Sequence, residues 1–205
     1  MHFLEDSREC DKCGKILDRA CLHAFCCAPA ESTIGHYRVC DAILPLVHLA
    51  DTSACAEVLG LIPSAPALCP ADIFSATAVP GCRAALDIGI MSPDATGAGT
   101  DCCRAIFEKK CKDYSKYRQE LADDQVEYIP LAFSSYGRIH PTSLAILENI
   151  ARRAALRHGY RDHQVLLRRT LKNVSVAIWE RAAALVDCCL PEMSGDGAEI
   201  IRRWR

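Results

Sequence analysis

The sequence is poor in aromatics and has no long apolar run. Phe, Trp and Tyr make up 6% of the 205 residues. Its core must therefore come mainly from Ala, Leu, Ile and Val. No stretch approaches the ~18–20 apolar residues that span a bilayer. The N-terminus, MHFLEDSREC, is acidic and lacks an apolar core segment, so a secretory leader is not expected. No one sign of charge dominates, and the formal net charge is -2. A Gly-rich phosphate loop is missing too, because TGAGTD lacks the required Lys and spacing. There is no Ser-centred nucleophile elbow. These absences argue against a membrane protein, a secreted disulfide scaffold, a P-loop enzyme and a serine hydrolase.

Half of the residues are apolar, enough for a packed domain, and fourteen are cysteine. In the reducing, intracellular compartment this N-terminus suggests, most of these thiols are expected to act as small buried hydrophobes. The N-terminal cluster is the exception. Cys10-x2-Cys13-x9-His23-x3-Cys27 has ligand spacing. A tight CxxC gives two thiolates from one turn, and a His-x3-Cys gives two more ligands from one helix face. Together they predict a tetrahedral Zn2+ site. Cys26 or Cys21 can replace Cys27, and His36 is a distant substitute for His23. Gly14, directly after Cys13, suits a knuckle turn. The competing reading is a set of free core cysteines.

Beyond this unit the pattern is helical from Ile34 to about Gly60, with Pro45 as a kink. Two short strands follow, Asp72–Ala76 and Arg83–Met91, joined by the turn signal VPGC. Thr100 or Asp101 can cap a helix reaching about Leu121. VEYIPLAFSSYG reads as a third strand, with Pro130 arguing for an edge position or a strand end. Two helices follow, the first with Pro141 at its start and Gly159 at its end. The expected organisation is a small loop-rich unit at 1–32, a mixed α/β domain at 33–190 and a loose tail at 191–205.

Asp72 and Asp87 are the chemical centre of this reading. An ionised Asp between Leu86 and Ile88 is expensive to bury unless it is paired or binds a metal. Two carboxylates from adjacent strands, with the Ile88 carbonyl, make a hard oxygen set suited to Mg2+ or Mn2+. The alternative is a solvated strand face. Phosphodiester hydrolysis also needs a nearby cation. Two residues after Asp87 the position is Gly89, which cannot serve, so the candidates move to FEKKCKDY and its Lys109, Lys110 and Lys112. Between Arg138 and Arg181 nine Lys or Arg face three Asp or Glu. Arg152, Arg153, Arg157, Arg168, Arg169 and Lys172 can neutralise phosphates without reading bases, or form the outer face of ordinary amphipathic helices.

The order of these motifs resembles the C-terminal region of non-LTR retrotransposon polyproteins, in versions found in dinoflagellate genomes. There a zinc knuckle precedes a restriction-like endonuclease domain of the PD-(D/E)XK superfamily. The resemblance rests on the Cys/His cluster, CPADIF, AALDIGIMSP and EKKCKDY, and covers roughly residues 10–190. It implies a restriction-endonuclease-like mixed central sheet of three to four strands flanked by helices. It also implies a Mg2+-dependent nicking activity on target DNA. Asp72 and Asp87 would be the catalytic, metal-binding acids. Lys110, four residues before Tyr114, would be the helix-borne lysine. DNA would be the partner, with the RNA of the parent element as a second, and the location would be nuclear. A non-catalytic, zinc-containing nucleic-acid-binding remnant is the alternative.

Overall fold

A computed structural model describes residues 8–10, 13–17, 23, 24 and 29–189. Cys21, Cys26, Cys27 and the expected tail at 191–205 lie outside the described residues. The described chain is mixed α/β, with a four-stranded sheet flanked by helices and a small N-terminal hairpin.

The hairpin pairs β1 (Arg8–Glu9) with β2 (Ile16–Leu17). Helix α1 (Pro29–Ala50) follows. Its buried positions, Val39, Ile43, Leu46, Val47 and Ala50, recur at helical spacing and form one apolar stripe. Pro45 lies within the helix on its exposed side. The helix does not run to Gly60 as its pattern suggested. It stops at Ala50, and β3 (Cys55–Val58) comes next. The turn is fixed by Asp51. Its carboxylate accepts bonds from the Ser53 N–H and hydroxyl, from the Ser75 hydroxyl and from the Thr77 N–H. The stop is therefore set by residues far away in sequence.

Strands β4 (Ala71–Ser75) and β5 (Arg83–Met91) are antiparallel, joined through the Pro80-Gly81 turn. After β5 the chain crosses through α2 (Cys102–Tyr114), a 3-10 turn (Ser115–Tyr117) and α3 (Arg118–Asp123) to β6 (Val126–Ser134). Asp101 caps α2 by accepting from the Arg104 N–H. The expected single helix to Leu121 is thus broken at Ser115. Strand β6 pairs parallel with β5, giving the order β3-β4-β5-β6.

Pro130 sits on β6, at one edge of this sheet, where its missing N–H breaks no ladder. The Ser143 hydroxyl donates to the Pro130 carbonyl and accepts from the Ala132 N–H, closing part of that edge. Helices α4 (Pro141–His158) and α5 (His163–Cys189) complete the domain. Gly159 ends α4 in the left-handed conformation, φ 72°.

Side chains alternate across β5. Ala84, Leu86 and Ile88 join α1, α4 and α5 in the main core. Ala85, Asp87 and Gly89 face the other way, towards α2 and α3. The acid of interest is therefore on the face that the crossover helix covers.

Candidate functional site

The β4–β5 ladder pairs Ile73 with Leu86, and one further step in that register sets Asp72 opposite Asp87. Directly opposed residues share a face of an antiparallel pair, and like charges there repel. The structure resolves the conflict by giving each acid its own partners. Asp72 accepts from the Ile88 N–H at 2.6 Å through Oδ2. Its Oδ1 is 3.1 Å from His36 Nε2 on α1. Asp87 Oδ1 is 2.6 Å from Lys110 Nζ on α2, and its Oδ2 accepts from the Tyr128 hydroxyl on β6. The two carboxyls are close enough for each to bear on the other's ionisation.

These surroundings push the two acids apart. Burial opposes the charge of Asp72, but His36, the Ile88 N–H and the neighbouring Asp87 carboxyl outweigh it and hold its carboxyl below the ordinary range. Burial pushes the Asp87 carboxyl up. Lys110 and Tyr128 pull against that rise, the Asp72 charge adds to it, and the net direction is upward. One acid that stays ionised beside one that holds its proton longer is an arrangement common to catalytic carboxylate pairs.

Gly89 explains how a lysine from the next helix gets in. A Cβ at this position would lie 2.6 Å from Lys110 Cε and 2.8 Å from Ile106 Cγ1. The residue that cannot itself supply an amine is the one whose missing side chain lets the Lys110 stem pass. Tyr114, one turn on, stacks on Tyr128 at 4.3 Å between ring centroids and donates to the Cys69 carbonyl. Burial and the Asp87 charge push the Tyr128 hydroxyl up, so it acts as a donor to Asp87. Lys109 and Lys112 are exposed, and Lys109 is ion-paired with Asp113.

The paired acids are oxygen donors, and each of their four oxygens has a protein partner. The Ile88 N–H points to the gap where β4 leaves the ladder, and the carbonyl of the same residue lies on the same side of the strand. Two carboxylates and that carbonyl are the oxygens Mg2+ accepts while keeping several waters. Beside them opens a cleft of about 440 Å³, lined by Asp72, His36, Tyr37, Glu57, Cys69 and Arg181 among others. Arg181 enters from α5. It approaches α1 at Gly35, where a Cβ would lie 2.2 Å from Arg181 Cγ.

At the N-terminus, Cys10, Cys13 and His23 present ligand atoms within 4.8 Å of one another, and Cys13 Sγ is 3.1 Å from His23 Nε2. The Cys13 and Gly14 N–H groups both donate to the Cys10 carbonyl, with Gly14 at φ 68°. These three residues can hold a metal; Cys27, the expected fourth ligand, lies outside the described residues. His36 does not stand in for His23. It belongs to a separate group with Cys40 and Asp72.

The basic residues are divided. Arg152, Arg153, Arg168, Arg169 and Lys172 are exposed, with Arg152 ion-paired to Glu148. Arg157 is engaged elsewhere, donating to the Ala50 carbonyl and the Thr52 hydroxyl at the C-terminus of α1. All six lie on α4 and α5, across the sheet from the face where Asp87 meets Lys110. Sequence reasoning missed Tyr128, Arg181 and the role of His36. The available signal for the first is its position in β6, two residues before Pro130 and so on the same face of the strand. Among the described residues, no helix is long and apolar enough to cross a membrane. No protein-family model, curated protein or solved structure matches the chain.

Proposed function

We propose that this chain is a metal-dependent DNA endonuclease domain of the non-LTR retrotransposon type, nicking target DNA by phosphodiester hydrolysis. The observation that carries the reading is the convergence of Asp72, Asp87 and Lys110 from β4, β5 and α2. Asp72, Asp87 and the Ile88 carbonyl would hold Mg2+ or Mn2+, which would supply Lewis-acid polarisation of the phosphate and a water of lowered pKa. Lys110 sets a positive charge where the phosphate gains negative charge. Tyr128 orients Asp87 through its hydroxyl. Arg181, on the cleft wall, offers a planar fork to a flanking phosphate.

Cys10, Cys13 and His23, with Cys27, hold a structural Zn2+ that supports DNA contact. Arg152, Arg153, Arg168, Arg169 and Lys172 form an exposed cationic surface for the DNA backbone, or for the RNA of the parent element. This function places the protein in the nucleus.

One observation favours the alternative, a non-catalytic nucleic-acid-binding remnant. All four oxygens of the acid pair already have protein partners. A nicking assay on supercoiled plasmid separates the two. The nuclease reading expects nicked circles with Mg2+ and a loss of about 10²-fold or more in Asp87→Ala. Wild-type protein inactive with both Mg2+ and Mn2+, or Asp87→Ala equally fast, overturns it. Binding that weakens steeply with salt, without cleavage, supports the remnant.

A further inference from the structure

We propose that His36, Cys40 and Asp72 form a second metal site, for a zinc-class transition ion, separate from the N-terminal cluster and adjoining the oxygen site at Asp87, with which it shares Asp72. His36 and Cys40 are four residues apart on α1, so they share one helix face. Asp72 meets them from the start of β4. The three ligand atoms all lie within 4.8 Å of one another.

The distances suit a tetrahedron. His36 Nε2 is 3.6 Å from Cys40 Sγ and 3.1 Å from Asp72 Oδ1. Around zinc, with Zn–N about 2.0 Å and Zn–S about 2.3 Å, neighbouring N and S atoms sit about 3.5 Å apart, and N and O about 3.3 Å. One imidazole nitrogen carries either one proton or one lone pair. It can therefore serve only one of these neighbours as a hydrogen-bond partner. A cation at the centre of the triangle serves all three.

The ligand chemistry selects the ion. One thiolate, one imidazole and one carboxylate suit Zn2+ or Co2+ and are a poor set for Mg2+. Three protein ligands leave a fourth position, as in zinc sites that take water or an anion. That position opens on the cleft shared with Glu57, Cys69 and Arg181. Cys40 is buried and His36 half-buried, so the ion would be held from the protein side and reached from the cleft. His36 and Cys40 belong to this site alone and Asp72 is shared with the acid pair, but the binding of a zinc-class ion here does not depend on the nuclease reading.

The test is a Co2+ titration of the full chain under reducing conditions, read by thiolate-to-cobalt absorption and by metal content after desalting. The parent is the Cys10→Ser/Cys13→Ser variant, which removes the N-terminal thiolates. It is expected to bind one equivalent of Co2+ with thiolate absorption, and excess Mg2+ should leave that signal in place. Adding Cys40→Ala, which keeps a small buried side chain, should abolish the absorption. Adding His36→Gln instead, a change at a half-buried position, should lose the bound equivalent with the far-ultraviolet circular dichroism unchanged. A parent variant that binds no Co2+ overturns the proposal, as does an equivalent that survives both Cys40→Ala and His36→Gln. No DNA cleavage is read, so failure here is distinct from failure of the nuclease.

Discussion

Lys110 and Asp87, 23 residues apart, stand 2.6 Å from each other between the crossover helix and the strand it covers. Both side chains are largely buried, at 18% and 9% exposure, so this is not an ordinary surface pair. Removing one member of a buried pair leaves an uncompensated charge. Lys110→Met is therefore expected to lower stability by about 3 kcal/mol at neutral pH, and to lose nicking by about 10²-fold or more. Urea unfolding and the plasmid assay check the two effects separately.

Gly89→Ala tests whether the glycine makes room for the lysine. The new methyl would meet Lys110 and Ile106, so the lysine stem must move off Asp87. Overpacking of this kind costs about 1–3 kcal/mol. The expected outcome is lower stability together with lost nicking. Full activity in Gly89→Ala would show that the close approach does not matter.

Asp51 contributes to the acid limb of stability. Burial disfavours its charge, but Ser53, Ser75 and Thr77 outweigh that and hold its carboxyl well below the usual range. A depressed folded pKa stabilises above the unfolded value of about 3.9 and loses that contribution as pH falls through the folded value. Asp51→Asn is expected to be less stable at pH 7 by about 1–3 kcal/mol. Its stability should also fall less steeply below about pH 4. Denaturant midpoints measured from pH 7 to pH 2 check both.

Arg157 and Arg168 are predicted to differ although both are exposed. Arg157 satisfies carbonyl and hydroxyl acceptors at the end of α1, so Arg157→Ala should lower stability by about 1 kcal/mol. It should leave the salt dependence of DNA binding unchanged. Arg168→Ala should leave stability within about 0.5 kcal/mol, and reduce the slope of log affinity against log salt by about one. Thermal melts and fluorescence anisotropy at several salt concentrations distinguish them.

Zinc removal should act locally. The main core is built from α1, the sheet, α4 and α5 and contains none of Cys10, Cys13 and His23. A chelator, or Cys13→Ser, is expected to release zinc and weaken DNA binding while the helical circular dichroism of the domain persists. Loss of the whole far-ultraviolet signal on chelation would contradict this.

Much of the fold is local chemistry and so is readable along the chain. Pro141 and Gly159 bracket α4, Asp101 caps α2, and Pro130 marks an edge strand. The VPGC turn places Asp72 and Asp87 on neighbouring strands, while the residues alone leave Lys109, Lys110 and Lys112 open and only the family resemblance points to Lys110. Strand β3 was not readable. It is mostly exposed, and Glu57 within it has φ 52°, so it lacks the alternation of a half-buried strand. Tyr128, Arg181 and His36 were hidden for a different reason. Each reaches the site through space from an element whose packing no local pattern records.

The crossover also orders events in time. The β4–β5 hairpin closes over a short loop, whereas Lys110 arrives only with α2, after the chain has turned back towards β6. Near contacts form ahead of distant ones. The two carboxylates are thus expected to face each other before their lysine is in place. Folding speed should rise with added salt, because the nascent hairpin carries a repulsion that Lys110 has yet to offset.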